Sequence, residues 1–191
     1  MLDYKWLVLC LLAISGVLSP CRASAQVPSD VLDMAKAYAK GQPQSPGPGG
    51  RDVVDVYVRS FFDGFTRGGG ASSAWSPVEQ AAHEQGERRW QQGREAQERT
   101  FAGFGYTRVE LSGTWTIWYE TSAFDADHLG GNSWLSFLPG MRWDRRGGAE
   151  GSKPRTLRVL VVGYLSPPGR YGHLGVYGRE LFAESIKVIS E

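Results

Sequence analysis

The densest set of chemistry-bearing side chains is Asp125, Asp127 and His128, three donors within four residues of the segment FDADHLGG. Calcium and magnesium take carboxylate oxygens and zinc takes imidazole, so with His173 or Glu120 these residues could complete a metal site for hydrolysis. The spacing is not that of an HExxH helix, a CxxC pair or a calcium-binding loop. Asp and His in a glycine-rich stretch also serve as plain turn formers, and that is the simpler reading. Glu120 with Asp125 has the chemistry of an acid/base pair, but nothing in its spacing separates it from surface carboxylates. No GxSxG or SxxK nucleophile pattern is present. No metal or other cofactor is therefore expected, and a metal-dependent hydrolase using Asp125, Asp127, His128 and His173 stands as the alternative to a binding role.

The second set lies in SPPGRYGHLGVY, residues 166–177, where two prolines and three glycines surround Arg170, Tyr171 and His173. Such a loop loses little freedom on folding and can present side chains rigidly, and a pre-ordered loop is a common place for recognition. The plainer alternative has His173 pinning a tight turn through a backbone carbonyl. A third set is basic: Arg142, Arg145, Arg146, Lys153, Arg155 and Arg158, with Trp143 among them. Cations with an aromatic can cradle a nucleic-acid strand or another anion, although a solvated loop explains the cluster as well. Tryptophan is frequent between 115 and 143. Trp115 falls in phase with an inward face, whereas Trp118 falls out of phase, as an exposed contact residue would.

These residues sit in a chain that reads as exported. Trp6–Leu18 is an apolar run of about 13 residues, too short for a bilayer core of about 30 Å. Pro20 breaks it, and Ala23-Ser24-Ala25 is a cleavage pattern, so residues 1–25 read as a signal peptide with Gln26 as the first mature residue. Acylation of Cys21 as a lipoprotein is the competing reading, and Pro20 fits it poorly. Cys10 and Cys21 both fall in the leader, so a packed core without disulfides must hold the mature fold. The leader also carries Asp3, Lys5 and Arg22; without them acidic and basic residues balance. A neutral chain is not steered as a whole to nucleic acid or anionic membrane. After leader removal no transmembrane segment is expected.

The elements that must position these residues follow from periodicity. Val27–Lys40 reads as a short helix with Ser29 at its N-cap and a thin apolar stripe of Val31, Leu32, Ala35 and Tyr38. Gly41–Gly50 (GQPQSPGPGG) reads as a linker, which makes the helix either a loose N-terminus or a partner-docking element. Val54, Tyr57, Val58, Phe61 and Phe65 share one helical face despite their β-branched company. Ser76-Pro77-Val78-Glu79 is a capping box with Pro at the first helical position. It opens a helix expected to run to about Arg99, with Val78, Ala82, Gly86, Trp90 and Gly93 inward and His83 on the polar side. Residues 51–101 are thus expected to form a helical hairpin with glycines at its contact. The glycine spacing over 52–99 resembles helical-hairpin modules of the ribosome-modulation-factor type, and no function is carried across.

From Phe104 the period becomes two. Val109 to Tyr119 is a long half-buried strand with a bulge or sharp coil expected at Gly113. Thr121–Asn132 reads as a loop, Ser133–Leu138 as a strand, Pro139–Pro154 as a long loop, Leu157–Leu165 as a buried strand and Gly178–Ile189 as the closing strand. In this order of elements residues 104–190 resemble small bacterial OB-fold-like barrels, with the 139–155 loop where such barrels usually carry a helix. That resemblance implies a compact barrel with a ligand-contacting surface. An antiparallel meander packed on the helices fits the same pattern.

The expectation is an α+β protein in four parts: signal peptide 1–25, short helix and linker 26–50, helical hairpin 51–101, and a small antiparallel, OB-like barrel or meander over 104–191. Its expected role is non-catalytic binding, in the periplasm or outside the cell, of a protein partner or an envelope ligand rather than nucleic acid. A purely structural envelope module is the further alternative. The expected contact residues are Arg170, Tyr171, His173, Trp118, Trp134, Arg145 and Arg146.

Overall fold

The computed structural model describes residues 27–41, 51–69, 72, 74–118, 121–141 and 153–190. The expected signal peptide, most of the linker, and Glu120, Arg142, Trp143, Arg145 and Arg146 lie outside them. The chain is α+β: helices α1 (Ser29–Gly41), α2 (Val53–Arg67), α3 (Pro77–Gln91) and α4 (Arg94–Gly103) precede strands β1 (Thr107–Trp118), β2 (Thr121–Ala126), β3 (Asn132–Phe137), β4 (Arg155–Leu165) and β5 (Arg179–Ser190).

Helices α2 and α3 form the expected hairpin because two glycines let their backbones touch. A Cβ on Gly64 would stand 2.1 Å from the His83 carbonyl oxygen, and one on Gly86 would stand 2.0 Å from that of Phe61. Both N-termini are capped as the sequence implies. Asp52 accepts from the Val54 amide, and Ser76 and Glu79 cap each other's backbone. The long second helix expected to reach Arg99 is two helices. Gly93 adopts φ +93°, a conformation open to glycine but not to helical continuation, and α4 starts immediately after it. Contrary to expectation His83 does not lie on a polar face: it is 1% exposed. The Trp75 ring covers it at 4.6 Å, while Asp63 and Glu87 carboxylates stand 3.9 Å from its two ring nitrogens. The N-terminal helix is not a loose element. Val31 and Ala35 are fully buried in the helical core, Tyr38 lies against Tyr57, and Asp30 is ion-paired to Arg89 at 2.7 Å.

The five strands close into a barrel in the order β1-β2-β3-β5-β4, with β4 returning to pair with β1. All neighbours are antiparallel except β3 and β5, which run parallel. The sheet is therefore mixed, neither all antiparallel nor a meander, because the long β3–β4 connection brings the chain back beside β1 rather than beside β3. The segment 121–126, expected as loop, is β2. Its inward residues Phe124 and Ala126 are buried, but six residues beside a Gly-rich turn give too little alternation to stand out. No bulge falls at Gly113, where pairing with β2 and β4 is continuous; the register shifts lie between β4 and β5. Gly113 is instead a close approach, since a Cβ there would meet the Asp125 carbonyl oxygen at 2.3 Å.

Two cores result. Trp115, Phe124, Leu135, Leu157, Val159, Val161 and Leu181 fill the barrel. Phe61, Phe65, Phe101, Phe104, Tyr106, Tyr164 and Phe182 join the helices to its outer wall, with Phe101 and Tyr164 stacked at 4.0 Å. Burying a large side chain stabilises by about 1.5–3 kcal/mol, so the aromatic seam is the main bond between the two layers. No described helix is long and apolar enough to cross a membrane.

Candidate functional site

The β4–β5 connection is braced along its whole length. At its root the Ser166 hydroxyl accepts from the Glu180 amide at 2.8 Å and donates to the Pro167 carbonyl, while Arg179 donates to the Ser166 carbonyl at 2.7 Å. Further out, Gly169 N–H donates to the Gly178 carbonyl, and the Tyr171 and Tyr177 backbones exchange hydrogen bonds at 3.0 and 3.3 Å. The Tyr171 hydroxyl donates to the Pro167 carbonyl, and Arg170 Nε reaches the Gly175 carbonyl. Trp134, projecting from β3, lies against Gly172, where a Cβ would come within 2.6 Å of the indole, and packs edge-on to Tyr177 at 5.1 Å. Pro and Gly thus give the loop its path, and these bonds hold it there.

The tip is apolar and strained. Leu174 sits in the left-handed region at φ 56°, ψ 8° within a single 3-10 turn, His173–Gly175. It is 78% exposed, and Val176 beside it is 71% exposed. For an L-residue that conformation costs roughly 1–2 kcal/mol, and a large apolar side chain in water gains nothing to offset it.

The expected contact set divides. Arg170, Tyr171, His173 and Trp134 come together at this loop, Arg170 and Tyr171 mainly as braces and Trp134 as its support. His173 is exposed in the tip turn. Trp118 is exposed, as its phase implies, but stands at the far end of β1: it pairs with Thr121, whereas Thr107 at the near end pairs with Leu165. It does not join the loop surface. Of the basic set, Arg158 makes a two-pronged pair with Asp127, whose carboxylate also accepts from the Ser112 hydroxyl at 2.6 Å. These hydrogen bonds, Arg158 foremost, hold the Asp127 carboxyl below its usual range. That commitment leaves the Asp125-Asp127-His128 segment bound to its own sheet, and no group of three or more His, Asp or Glu able to hold a metal occurs among the described residues.

One feature of the site is absent from the sequence expectations. Beside the loop, between α2 and the barrel wall, lies a cleft of about 280 Å³. Phe62, Phe104, Tyr106, Tyr171 and Phe182 line it, together with Glu180, Arg59, Asp63 and Arg67. Phe62 is its hub, with ring centroids 4.4 Å from Phe104, 5.4 Å from Tyr106 and 5.9 Å from Phe182. Glu180 Oε1 accepts from the Ser136 hydroxyl at 2.7 Å. Burial pushes the Glu180 carboxyl above its ordinary value, and the Ser136 bond and the Arg67 charge only partly oppose this. Burial likewise raises the Tyr106 phenol. The sequence signal was Glu180-Leu181-Phe182-Ala183, in which Leu181 and Ala183 turn into the barrel while Phe182 is buried on the opposite face. A strand covered on both faces implies a second layer over its polar phase.

Comparison with protein-family models, with curated proteins and with solved structures finds no match for this chain.

Proposed function

We propose that this is an exported binding protein of the bacterial envelope, acting by contact with a protein partner through the loop 166–178. The observation that carries this reading is Leu174, a fully presented apolar side chain held in a disfavoured backbone conformation at the tip of a braced loop. Strain maintained by surrounding structure concentrates at sites that use it, and a pre-ordered contact loses less entropy on binding than a mobile one. The strand order, the β1–β4 closure and the parallel β3–β5 pair support an OB-type reading of the barrel. In such barrels the β4–β5 loop and the face of strands two and three make the ligand contacts, and here Trp134 on β3 lies against that loop. A protein partner is favoured over nucleic acid because Arg170 and Arg179 each brace a backbone carbonyl of the loop and the mature chain carries no net charge.

The test places a photo-crosslinking amino acid at Val176 in the producing cell. A discrete adduct, absent when the same group replaces Lys187 and weakened by Leu174→Ser, is expected. Absence of an adduct, or the same adduct from both positions, overturns the assignment. Protein recovered from the envelope fraction should begin at Gln26.

A further inference from the structure

The cleft between α2 and the barrel wall carries a chemistry that the loop tip lacks. Five aromatic side chains from three separate parts of the chain converge on one partly buried carboxylate. Aromatic ring faces carry negative electrostatic potential, and rings combined with an acid form a setting for an organic cation. An ordinary apolar core excludes a carboxylate unless it is paired. Ser136 satisfies Glu180 Oε1, and among the described residues no hydrogen bond reaches Oε2. Two cationic side chains of α2, Arg59 and Arg67, also line the cleft; both are exposed, and Arg67 is held by Asp63 at 3.2 Å.

We infer that this cleft binds an ammonium group carried on an apolar body, with Glu180 as its counterion and Phe62, Tyr106 and Phe182 as its walls. An anionic ligand would face the Glu180 charge, and a neutral apolar one would leave that charge buried and uncompensated. An ammonium group satisfies both the carboxylate and the ring faces, and a cleft of about 280 Å³ suits a single small group rather than an extended chain. A free arylalkyl amine and the side chain of a partner's lysine share this chemistry. The site is distinct from the loop-tip contact and shares only Tyr171 with it, so loss of either leaves the other testable.

The experiment is a titration of the full chain followed by backbone amide NMR, with phenethylamine, 2-phenylethanol and N-acetyl-lysine methylamide as probes. Saturable shifts confined to 58–67, 104–106, 171 and 180–182 are expected for an amine, with the alcohol at least about tenfold weaker, as loss of a charged hydrogen bond implies. Glu180→Gln keeps the side-chain shape and should weaken the amine by about tenfold or more. Ser136→Ala leaves the carboxylate in place and should retain binding, which separates loss of charge from loss of fold. Affinity should also fall on acidification as Glu180 takes up its proton. Saturation by the lysine derivative assigns the cation to a polypeptide partner, and saturation by phenethylamine alone assigns it to a small amine. Equal affinity for the alcohol, an unaffected Glu180→Gln variant, or saturation by neither amine overturns the inference.

Discussion

The α-carbon of Gly86 in α3 rests against the carbonyl oxygen of Phe61 in α2, so close that a Cβ there would stand 2.0 Å from it. One turn away the relationship is reciprocated, Gly64 of α2 resting against the backbone of His83. The hairpin is therefore held at backbone contact by two absent side chains, and Phe62 is carried onto Phe182 of the barrel from a helix whose position it does not set alone.

Gly86→Ala tests that contact. Helix propensity alone predicts a gain of about 1 kcal/mol, but the added methyl must separate two backbones, and overpacking costs typically about 1–3 kcal/mol. The balance is a net loss of up to about 2 kcal/mol in urea unfolding. A stabilised variant would show that the helices do not meet at this glycine.

The capping box gives a pH-dependent expectation. The Ser76 hydroxyl and then the Ser76 backbone amide hold the Glu79 carboxyl below its ordinary value of 4.5. A lowered folded pKa means stability that is present above the unfolded value and lost as pH falls through the folded one. Ser76→Ala should cost about 1 kcal/mol at neutral pH. The difference from the parent should shrink when unfolding is repeated below pH 4.5.

Glu180 has the opposite sign. Its pKa is raised by burial above 4.5, so the folded state takes up the proton more readily than the unfolded chain. Its contribution is fully present below the unfolded value and is lost as pH rises through the folded one. Glu180→Gln mimics the protonated form. It should raise the melting temperature relative to the parent at pH 8 and leave it unchanged at pH 4. A lowered melting temperature at pH 8 would mean that the charge is compensated in the folded protein.

Leu174→Gly separates strain from function. Glycine relieves a left-handed cost of roughly 1–2 kcal/mol and adds back about 0.4–1 kcal/mol of unfolded-chain entropy. Stability should therefore be unchanged or higher by up to about 1.5 kcal/mol, while crosslinking through Val176 falls. A clear loss of stability would show that the Leu174 side chain is packed rather than presented.

Much of the scaffold was legible because it rests on local rules. The capping box at Ser76–Glu79, the helical face of Val54 to Phe65 and the inward Trp115 depend on residues within a few positions of one another. Local periodicity also marks Trp118 as exposed, and composition alone marks 166–177 as a stiff loop. The failures have a common physical origin. Gly93 could continue or end a helix, and its left-handed backbone decided. His83 looked like a surface histidine until Trp75 and the Gly64 crossing covered it. β2 was too short to show a period.

The sequence by itself determined most helix and long-strand positions and the rigid loop, since propensity, capping and patterning act over a few residues. Only the tertiary structure decided that β3 and β5 run parallel and that Trp118 stands apart from the loop. It alone brought Phe62, Tyr106, Tyr171, Glu180 and Phe182, spread over more than a hundred positions, around one cleft. Barrel closure fixes register between strands distant in the chain, and no local pattern encodes which residues that register brings face to face.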